Sequence, residues 1–332
     1  MSMLPKAEIH CHIEGAASPA LVLKQAEKYN ADMSAFIRGD AYVWQDFTSF
    51  LAAYDAAAAL FRTPEDYALL AEDYLVSIAA EGAIYGEFFT SPDHARHAGL
   101  SPEAYTEGLA EGMARAKAHT GIESRQIVTG VRHFGAESVM EAARFATRCD
   151  RSVVSGFGMA GDERMGALAD FVPAFDLARE AGLGITVHAG ELCGWESVAG
   201  ALDHFRPSRI GHGVRAIENP DLVARIADEG TVLECCPGSN IALGVFPSFA
   251  DHPFPALMRA GCRVTLNSDD PPHFHSTIGR EYAIAREHFG LDDAALAGVT
   301  RTAIEAAFVD GETRAALLAR IDSFQAAQGE AF

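Results

Sequence analysis

The chain has 332 residues, 49% of them hydrophobic, which is enough for a large buried core and too long for one small domain. Its formal charge of −20 argues against nucleic acid and anionic membranes as partners, because both would be repelled. A neutral or cationic small molecule is the expected substrate.

The N-terminal segment Met-Ser-Met-Leu-Pro-Lys leads directly into the first predicted strand, without the apolar stretch and cleavage site of a secretion signal. No window approaches the roughly 18 apolar residues that a membrane-spanning helix needs. The six cysteines lie mostly in apolar runs without Cys-x-x-Cys spacing, so we interpret them as small buried side chains in a reducing compartment. We therefore expect a soluble, cytoplasmic protein.

The first predicted strand, residues 7–12, contains two histidines. Because side chains two apart on a strand point to the same face, His10 and His12 converge, whereas Cys11 between them turns away and packs. A His-x-His pair alone is more often solvated than metal-bound, so this pair needs support from elsewhere in the chain. Glu8, just before the pair, is expected only to pair with a lysine or arginine.

The next stretch is predicted to be helical. Ser18 is a suitable N-cap for an amphipathic helix that ends near Tyr29. Residues 31–81 then form a helical insertion without a strand. Apolar side chains recur at helical spacing over residues 44–61, and a further helix begins at Thr63.

The rest of the chain alternates apolar, strand-like runs with helical stretches. With residues 7–12, the predicted strands are 83–90, 125–131, 152–158, 184–188, 208–212, 231–235 and 263–268. Helices are predicted at about 102–119, 136–148, 166–181, 194–203, 219–229 and 253–260, with a helical tail over 278–328. This alternation predicts an α/β fold, a (β/α)8 TIM barrel, and we take residues 1–332 as one domain with its insertion at about 31–81. A doubly wound open sheet is the alternative, but no glycine-rich phosphate turn follows the first strand.

Polar side chains cluster where these strands end. They are His10, His12, Asp162, Glu163, His188, Glu191, His212, Asp269 and Asp270. Active residues of a barrel gather at the carboxyl ends of its strands, and the first and eighth strands are neighbours, so we expect these side chains at one rim. Three histidines and a carboxylate suit Zn²⁺, with iron or another first-row metal as alternatives.

Five segments resemble, in the same order, motifs of the adenosine deaminase family of metal-dependent hydrolases. The matching segments are 5–15, 159–163, 188–191, 209–213 and 267–271, and the likeness extends to about residue 290. The resemblance implies one Zn²⁺ per chain with one coordination position left for water. Its implied ligands are His10, His12, His188 and Asp269.

The resemblance also implies catalytic roles. His212 orients or deprotonates the attacking water, Asp270 holds that water and purine N7, and Glu191 donates a proton to N1. Hydroxide adds to C6 and ammonia leaves. The chemistry supports Glu191 independently, because a proton on N1 stabilises the charge that develops as the ring loses aromaticity. That role requires burial to raise the pKa of Glu191, while Asp269 beside the cation stays ionised.

The implied substrate contacts are His12, Glu14, Gly161, whose N–H meets purine N3, and Asp270. Position 14 faces the ribose; adenosine deaminases typically carry aspartate there, whereas adenine deaminases and some relatives acting on modified nucleosides carry glutamate. Residues 160–163, however, resemble the adenosine-specific branch. We therefore expect deamination of adenosine, and of 2′-deoxyadenosine, to inosine and ammonia in purine salvage.

The insertion resembles the hydrophobic lid of the same branch. The side chains expected to face the nucleoside are Phe47, Phe50, Leu51 and Tyr54. From spacing alone, ordinary packing of a helix is the simpler interpretation. Among the other histidines, His273 and His275 are candidates to line the mouth of the site. Surface or packing roles are expected for His94, His97, His119, His204 and His288.

Two other functions remain open on the sequence. One is deamination of adenine or another 6-aminopurine, including a modified nucleoside. The other is a non-catalytic family member that binds a nucleoside or a metal, against which the presence of Glu191, His212 and both aspartates argues. The sequence does not indicate the oligomeric state.

Overall fold

The computed structural model describes residues 3–329. The strands in this range are β1 (Lys6–Glu8), β2 (Ile37–Arg38), β3 (Ala41–Tyr42), β4 (Ala83–Thr90), β5 (Glu123–Val131), β6 (Val154–Ala160), β7 (Gly184–Ala189), β8 (Arg209–His212), β9 (Val232–Cys235) and β10 (Arg263–Leu266). The α-helices are α1 (Pro19–Tyr29), α2 (Phe47–Ala58), α3 (Pro64–Ala80), α4 (Pro92–His97), α5 (Pro102–Thr120), α6 (Ala136–Arg148), α7 (Leu168–Glu180), α8 (Trp195–Phe205), α9 (Pro220–Glu229), α10 (Pro237–Ala242), α11 (Phe254–Arg259), α12 (Ile278–Phe289), α13 (Asp293–Ala306) and α14 (Gly311–Gly329).

The predicted TIM barrel is confirmed. Eight parallel strands form one sheet in the order β1, β4, β5, β6, β7, β8, β9, β10, with helices between successive strands. Every residue of β4 is buried, as expected for a parallel strand covered on both faces. No helix within residues 3–329 is long and apolar enough to cross a membrane.

The barrel closes through the segments that follow β1 and β10. The backbone N–H of Asp269 donates to the carbonyl of His10 at 3.1 Å, and the N–H of His12 donates to the carbonyl of Asp269 at 2.9 Å. Glu8 is fully buried and accepts from the backbone N–H and the hydroxyl of Ser268. The expected pairing of Glu8 with a lysine or arginine is therefore wrong, because this carboxylate joins the two closing segments instead.

The first strand is shorter than predicted, since β1 ends at Glu8 and the predicted strand runs to residue 12. The residues beyond it still pair with both neighbours, but only as isolated bridges, Cys11 to Asp269 and His12 to Phe89. Asp269 has a left-handed backbone with φ of 65°, which breaks the regular ladder at the point of closure.

The insertion contains a short hairpin that the sequence analysis misses. The strands β2 and β3 pair antiparallel, with Ile37 opposite Tyr42 and Arg38 opposite Ala41. Gly39 begins the two-residue turn with φ of 63°, a conformation that glycine adopts without strain. Two-residue strands are too short to show an alternating pattern. Elsewhere in the insertion, the predicted helix start at Thr63 is confirmed, and the Thr63 hydroxyl caps this helix by accepting from the N–H of Asp66.

Candidate active site

Side chains from three strand ends meet at the carboxyl end of the barrel. His10 and His12 follow β1, His188 lies near the end of β7, and Asp269 follows β10. One donor atom from each side chain lies within 4.8 Å of the others. His12 Nε2 is 3.1 Å from His188 Nε2, and Asp269 Oδ1 is 3.4 Å from His12 Nε2. The structure thus brings together all four ligands that the resemblance implies.

Burial and charge leave these groups in forms that bind a cation. Burial lowers the pKa of His12 to about 4 and that of His188 well below its usual value, so both rings are neutral. Burial acts to raise the pKa of Asp269, but His10, whose Nε2 lies 3.5 Å from Asp269 Oδ1, and the nearby His212 and His12 outweigh it and lower that pKa well below its usual range. Ser239 Oγ donates to Asp269 Oδ2 at 2.7 Å and holds the carboxylate in place.

A buried ion-pair network orients His10. Its Nδ1 donates to Glu234 Oε2 at 2.7 Å, and both side chains are fully buried. Glu234 also accepts from Thr186 Oγ1 at 3.0 Å and pairs with Arg209 Nε at 2.6 Å. A carboxylate behind a metal-binding histidine fixes the tautomer that leaves the other ring nitrogen free to coordinate. In His10 that nitrogen is Nε2.

The donor set fits a divalent transition-metal ion. His10 Nε2 is buried without a hydrogen-bond partner, a costly arrangement that an ion would relieve. Burial acts to lower the pKa of His10, but Asp269 and Glu234 outweigh it and raise that pKa to about 10, so the position favours positive charge. Three imidazole nitrogens and one carboxylate oxygen are ligands that zinc accepts.

A second donor set overlaps the first and consists of His10, His212, Cys236 and Asp269. A cysteine binds metals as the thiolate. Cys236 is fully buried, and burial raises the pKa of its thiol well above the usual value. The set that contains His12 and His188 is therefore the better candidate.

Three more polar side chains lie beside the ligands. His212 Nε2 is 3.5 Å from Glu191 Oε2. Burial and the negative charges of Asp269 and Glu163 together raise the pKa of Glu191 to about 8. Burial and Asp269 also raise the pKa of Asp270 well above its usual range. A carboxyl that keeps its proton near neutral pH is suited to act as a general acid.

The backbone is strained where these groups are presented. His212 has φ of 60° and Asp269 has φ of 65°, both in the left-handed region that non-glycine residues avoid. Gly15 approaches Asp270 so closely that a Cβ on Gly15 would lie 1.7 Å from Asp270 Oδ1. Only glycine fits at position 15 while Asp270 keeps this position.

Glu14 lies in a buried polar cluster with His94 and Tyr105. Glu14 is 2% exposed; its Oε1 accepts from the Tyr105 hydroxyl at 2.6 Å, and its Oε2 is 3.5 Å from His94 Nδ1. Burial acts to raise the pKa of Glu14, but His94 and Tyr105 outweigh it and lower that pKa below its usual value. His94, for which a surface or packing role is expected, contacts this predicted substrate-binding residue. Gly161, another predicted substrate contact, directly follows β6 and lies close to the His133 ring.

The aromatic residues of the insertion face His273, which follows the twin aspartates. Phe50 is 5% exposed, and its ring centroid is 5.6 Å from that of His273. The Tyr54 ring is 5.8 Å from the same histidine. Leu51, by contrast, is 43% exposed. The side chain of Phe47 lies outside the part of the chain that the structure describes.

Glu163 is a supporting residue to which the sequence analysis gives no role. Its carboxylate accepts from the backbone N–H groups of Glu191, Leu192 and Cys193 at 3.1, 2.8 and 2.9 Å, and from the hydroxyl of Ser197. This nest of donors fixes the loop that carries Glu191. The sequence showed only that Glu163 follows a predicted strand. Its role could not be predicted, because its hydrogen-bond partners lie about 30 residues away along the chain.

Comparisons with known proteins agree with this arrangement. The chain matches the family model described as adenosine deaminase over residues 5–324. A relative from Chelativorans sp. (strain BNC1), named adenine deaminase, is 73% identical over 96% of this chain and 98% of that protein. The solved structure of an adenine deaminase from Arthrobacter aurescens is similar with a TM-score of 0.89 and 28% identity, covering 96% of this chain and 98% of that one. A zinc-bound amidohydrolase from Burkholderia ambifaria gives a TM-score of 0.87 at 27% identity, covering 98% and 93% of the two chains.

These relatives correct the substrate expected from the sequence. The expectation of an adenosine deaminase is wrong, because a protein 73% identical to this chain over almost its whole length is named adenine deaminase. The glutamate at position 14 agrees with the names of these relatives better than residues 160–163 do. The predicted reaction type, hydrolytic deamination, agrees with the family and with these relatives.

Proposed function

The chain belongs to the adenosine deaminase family, and from this premise we propose that it hydrolyses adenine to hypoxanthine and ammonia. The observation that carries the proposal is the 73% identity with a relative named adenine deaminase. The four converging donor groups and the buried Glu191 support hydrolytic chemistry at this rim.

His10, His12, His188 and Asp269 would hold one divalent ion, for which zinc is the proposed identity. When bound, such an ion supplies Lewis-acid activation of the attacking water. Glu234 keeps His10 in the tautomer that can coordinate, and Ser239 holds the carboxylate of Asp269.

Glu191 is the proposed acid in this reaction. Its carboxyl is protonated below a pKa of about 8 because burial and the charges of Asp269 and Glu163 disfavour the ionised form. It donates its proton to N1 of adenine as water adds to C6, so negative charge does not build up on the ring. The proton that the water loses is transferred to the C6 amine, the C6–amine bond breaks, ammonia leaves, and the new hydroxyl on C6 returns a proton to Glu191.

Asp270 and Gly161 are proposed to position the purine. Asp270 Oδ1 is buried without a hydrogen-bond partner and is available to the attacking water or to N7. The backbone N–H of Gly161 is the proposed donor to N3. Phe50 and Tyr54, which pack around His273, are proposed to cover the bound ring and exclude water.

Glu14 offers a physical reason for preferring the free base. The family resemblance places residue 14 on the side of the purine where a nucleoside carries its sugar, and adenine carries an N9–H there. The carboxylate of Glu14, kept ionised by His94 and Tyr105, is a suitable acceptor for that N9–H. A site built around such a bond disfavours analogues that lack the donor, because they bind without this hydrogen bond to the carboxylate.

The test is to incubate zinc-loaded protein with adenine and to quantify hypoxanthine and ammonia, with metal-free protein as the control. We expect equimolar products from the loaded protein alone. A parallel reaction with 9-methyladenine separates the lost N9–H from the bulk of a ribose, and we expect that compound to react far more slowly than adenine. Failure to convert adenine would overturn the proposed function, and equal rates with 9-methyladenine would remove the role of Glu14.

A further inference from the structure

Hydrogen bonds connect His212 to two buried side chains behind the site. Asn240 Nδ2 lies 3.3 Å from His212 Nδ1, and Asn240 Oδ1 lies 3.1 Å from His252 Nε2. The backbone N–H of Phe254 donates to His252 Nδ1 at 3.2 Å. His212, Asn240 and His252 are between 0% and 3% exposed, so water does not compete for these bonds.

The direction of each bond follows from the backbone N–H of Phe254, which can only donate. His252 Nδ1 must accept and carries no proton, and burial lowers the pKa of this ring to about 3. Its one proton is therefore on Nε2, which donates to the oxygen of Asn240. The amide nitrogen of Asn240 then faces His212, and because this nitrogen only donates, His212 Nδ1 must accept.

The surroundings of Nε2, on the opposite edge of the His212 ring, also indicate that the proton is on Nε2. Its Nε2 is 3.5 Å from Glu191 Oε2 and 3.9 Å from Asp269 Oδ2. The Asp269 carboxylate repels a lone pair on Nε2 and attracts an N–H there, and a Glu191 carboxyl that carries its proton on Oε1 accepts from the same N–H through Oε2. Donors thus surround Nδ1 and acceptors surround Nε2.

We propose that Asn240 and His252 are positioning residues that hold His212 in the tautomer with its proton on Nε2. In this form His212 donates a hydrogen bond to the oxygen of the attacking water and does not take the water's proton, which passes to Asp269, whose Oδ2 lies 3.9 Å from His212 Nε2. The identity of that water rests on the proposed function, whereas the tautomer does not. A ring that accepts at Nδ1 and is protonated at Nε2 has no lone pair to coordinate an ion, which removes His212 from the second donor set.

The direct test is the proton position in the zinc-loaded protein labelled with 15N-histidine. Zinc is not paramagnetic, so two-bond 1H–15N correlation spectra can report which nitrogen of each of the 13 histidines is protonated. A His212→Gln spectrum assigns the signals. We expect Nδ1 of His212 to be unprotonated and Nε2 to be protonated, with the same pattern for His252. A protonated Nδ1 in wild-type His212 would overturn the proposal without any need for a variant.

The variant Asn240→Asp tests whether Asn240 sets the position of the proton on His212. A carboxylate at position 240 can only accept, so we expect the proton of His212 to move to Nδ1 and kcat for adenine to fall at least tenfold. Asn219→Asp is the matched control, because Asn219 caps α9 by accepting from backbone N–H groups, a role that aspartate also performs. An unchanged tautomer in Asn240→Asp would show that Asn240 does not set the proton position. If adenine is not a substrate, the tautomer result still decides this inference.

Discussion

Glu191 combines burial with two negatively charged neighbours, and all three keep its carboxyl protonated up to a pKa of about 8. Because the protonated form donates to N1, we expect kcat/KM to be constant below this pKa. It should fall as pH rises through it, about tenfold per pH unit. A pH profile of the zinc-loaded enzyme with adenine measures this directly.

The variant Glu191→Gln cannot donate a proton, so we expect activity to fall by orders of magnitude while the zinc content is nearly unchanged. The matched control is Glu196→Gln, which makes the same change at an exposed position five residues along. Normal turnover by Glu191→Gln would remove this residue from the mechanism.

Glu234 and Glu87 allow the support of His10 to be tested with a matched pair. Both carboxylates are fully buried and pair with Arg209, at 2.6 and 2.7 Å, but Glu234 alone of the two also accepts from His10. We expect Glu234→Gln to weaken zinc binding about 10- to 100-fold. Glu87→Gln should lower stability without that loss. Competition with a chromophoric chelator measures the affinity, and equal losses in the two variants would contradict the role of Glu234.

The twin aspartates and the first histidine pair could be predicted from sequence because each lies in a short motif at a strand end. The residues that support them could not be predicted. Glu234 is 224 positions from His10, and Asn240 is 28 from His212. Their roles follow from contacts across the barrel, which no local pattern records.

Among the elements, the eight barrel strands were predictable because parallel strands buried on both faces form continuous apolar runs. The pattern failed at the end of the first strand, in the short hairpin and in two short helices. The first strand ends four residues before the predicted end, since the left-handed Asp269 interrupts its pairing. The hairpin of β2 and β3 is too short to give a period. The six-residue helices α4 and α10 were not predicted, although α11, which has the same length, was.

Helix α2 contributes Phe50 to the aromatic cluster around His273. Phe50 packs against Trp44, His273 and Phe274, and Trp44 Nε1 donates to the carbonyl of His273 at 2.8 Å. We expect Phe50→Ala to lower kcat/KM for adenine about tenfold, which corresponds to ~1.4 kcal/mol, because the insertion then covers the site less often. The control is Leu51→Ala on the exposed side of the helix, for which we expect little change. Equal effects would contradict a covering role for Phe50.

For the whole molecule, the ligands come from both ends of the chain, so an ion bound between them should stabilise the closed barrel. An ion at 1,000 times its Kd contributes ~4 kcal/mol to the free energy of unfolding, provided that it does not bind the unfolded chain. We expect chelation to lower Tm by several degrees and zinc to restore it. The variant His188→Ala should lose this response, and an unchanged Tm in the native protein would argue against an ion at this position.

We propose that this hydrolase acts on the free purine base. Equimolar adenine and adenosine in one reaction with the zinc-loaded protein give the ratio of the two kcat/KM values from the initial amounts of hypoxanthine and inosine. We expect hypoxanthine in excess by on the order of 10⁴, because adenosine lacks the N9–H for which Glu14 is the proposed acceptor. Inosine forming as fast as hypoxanthine would contradict it.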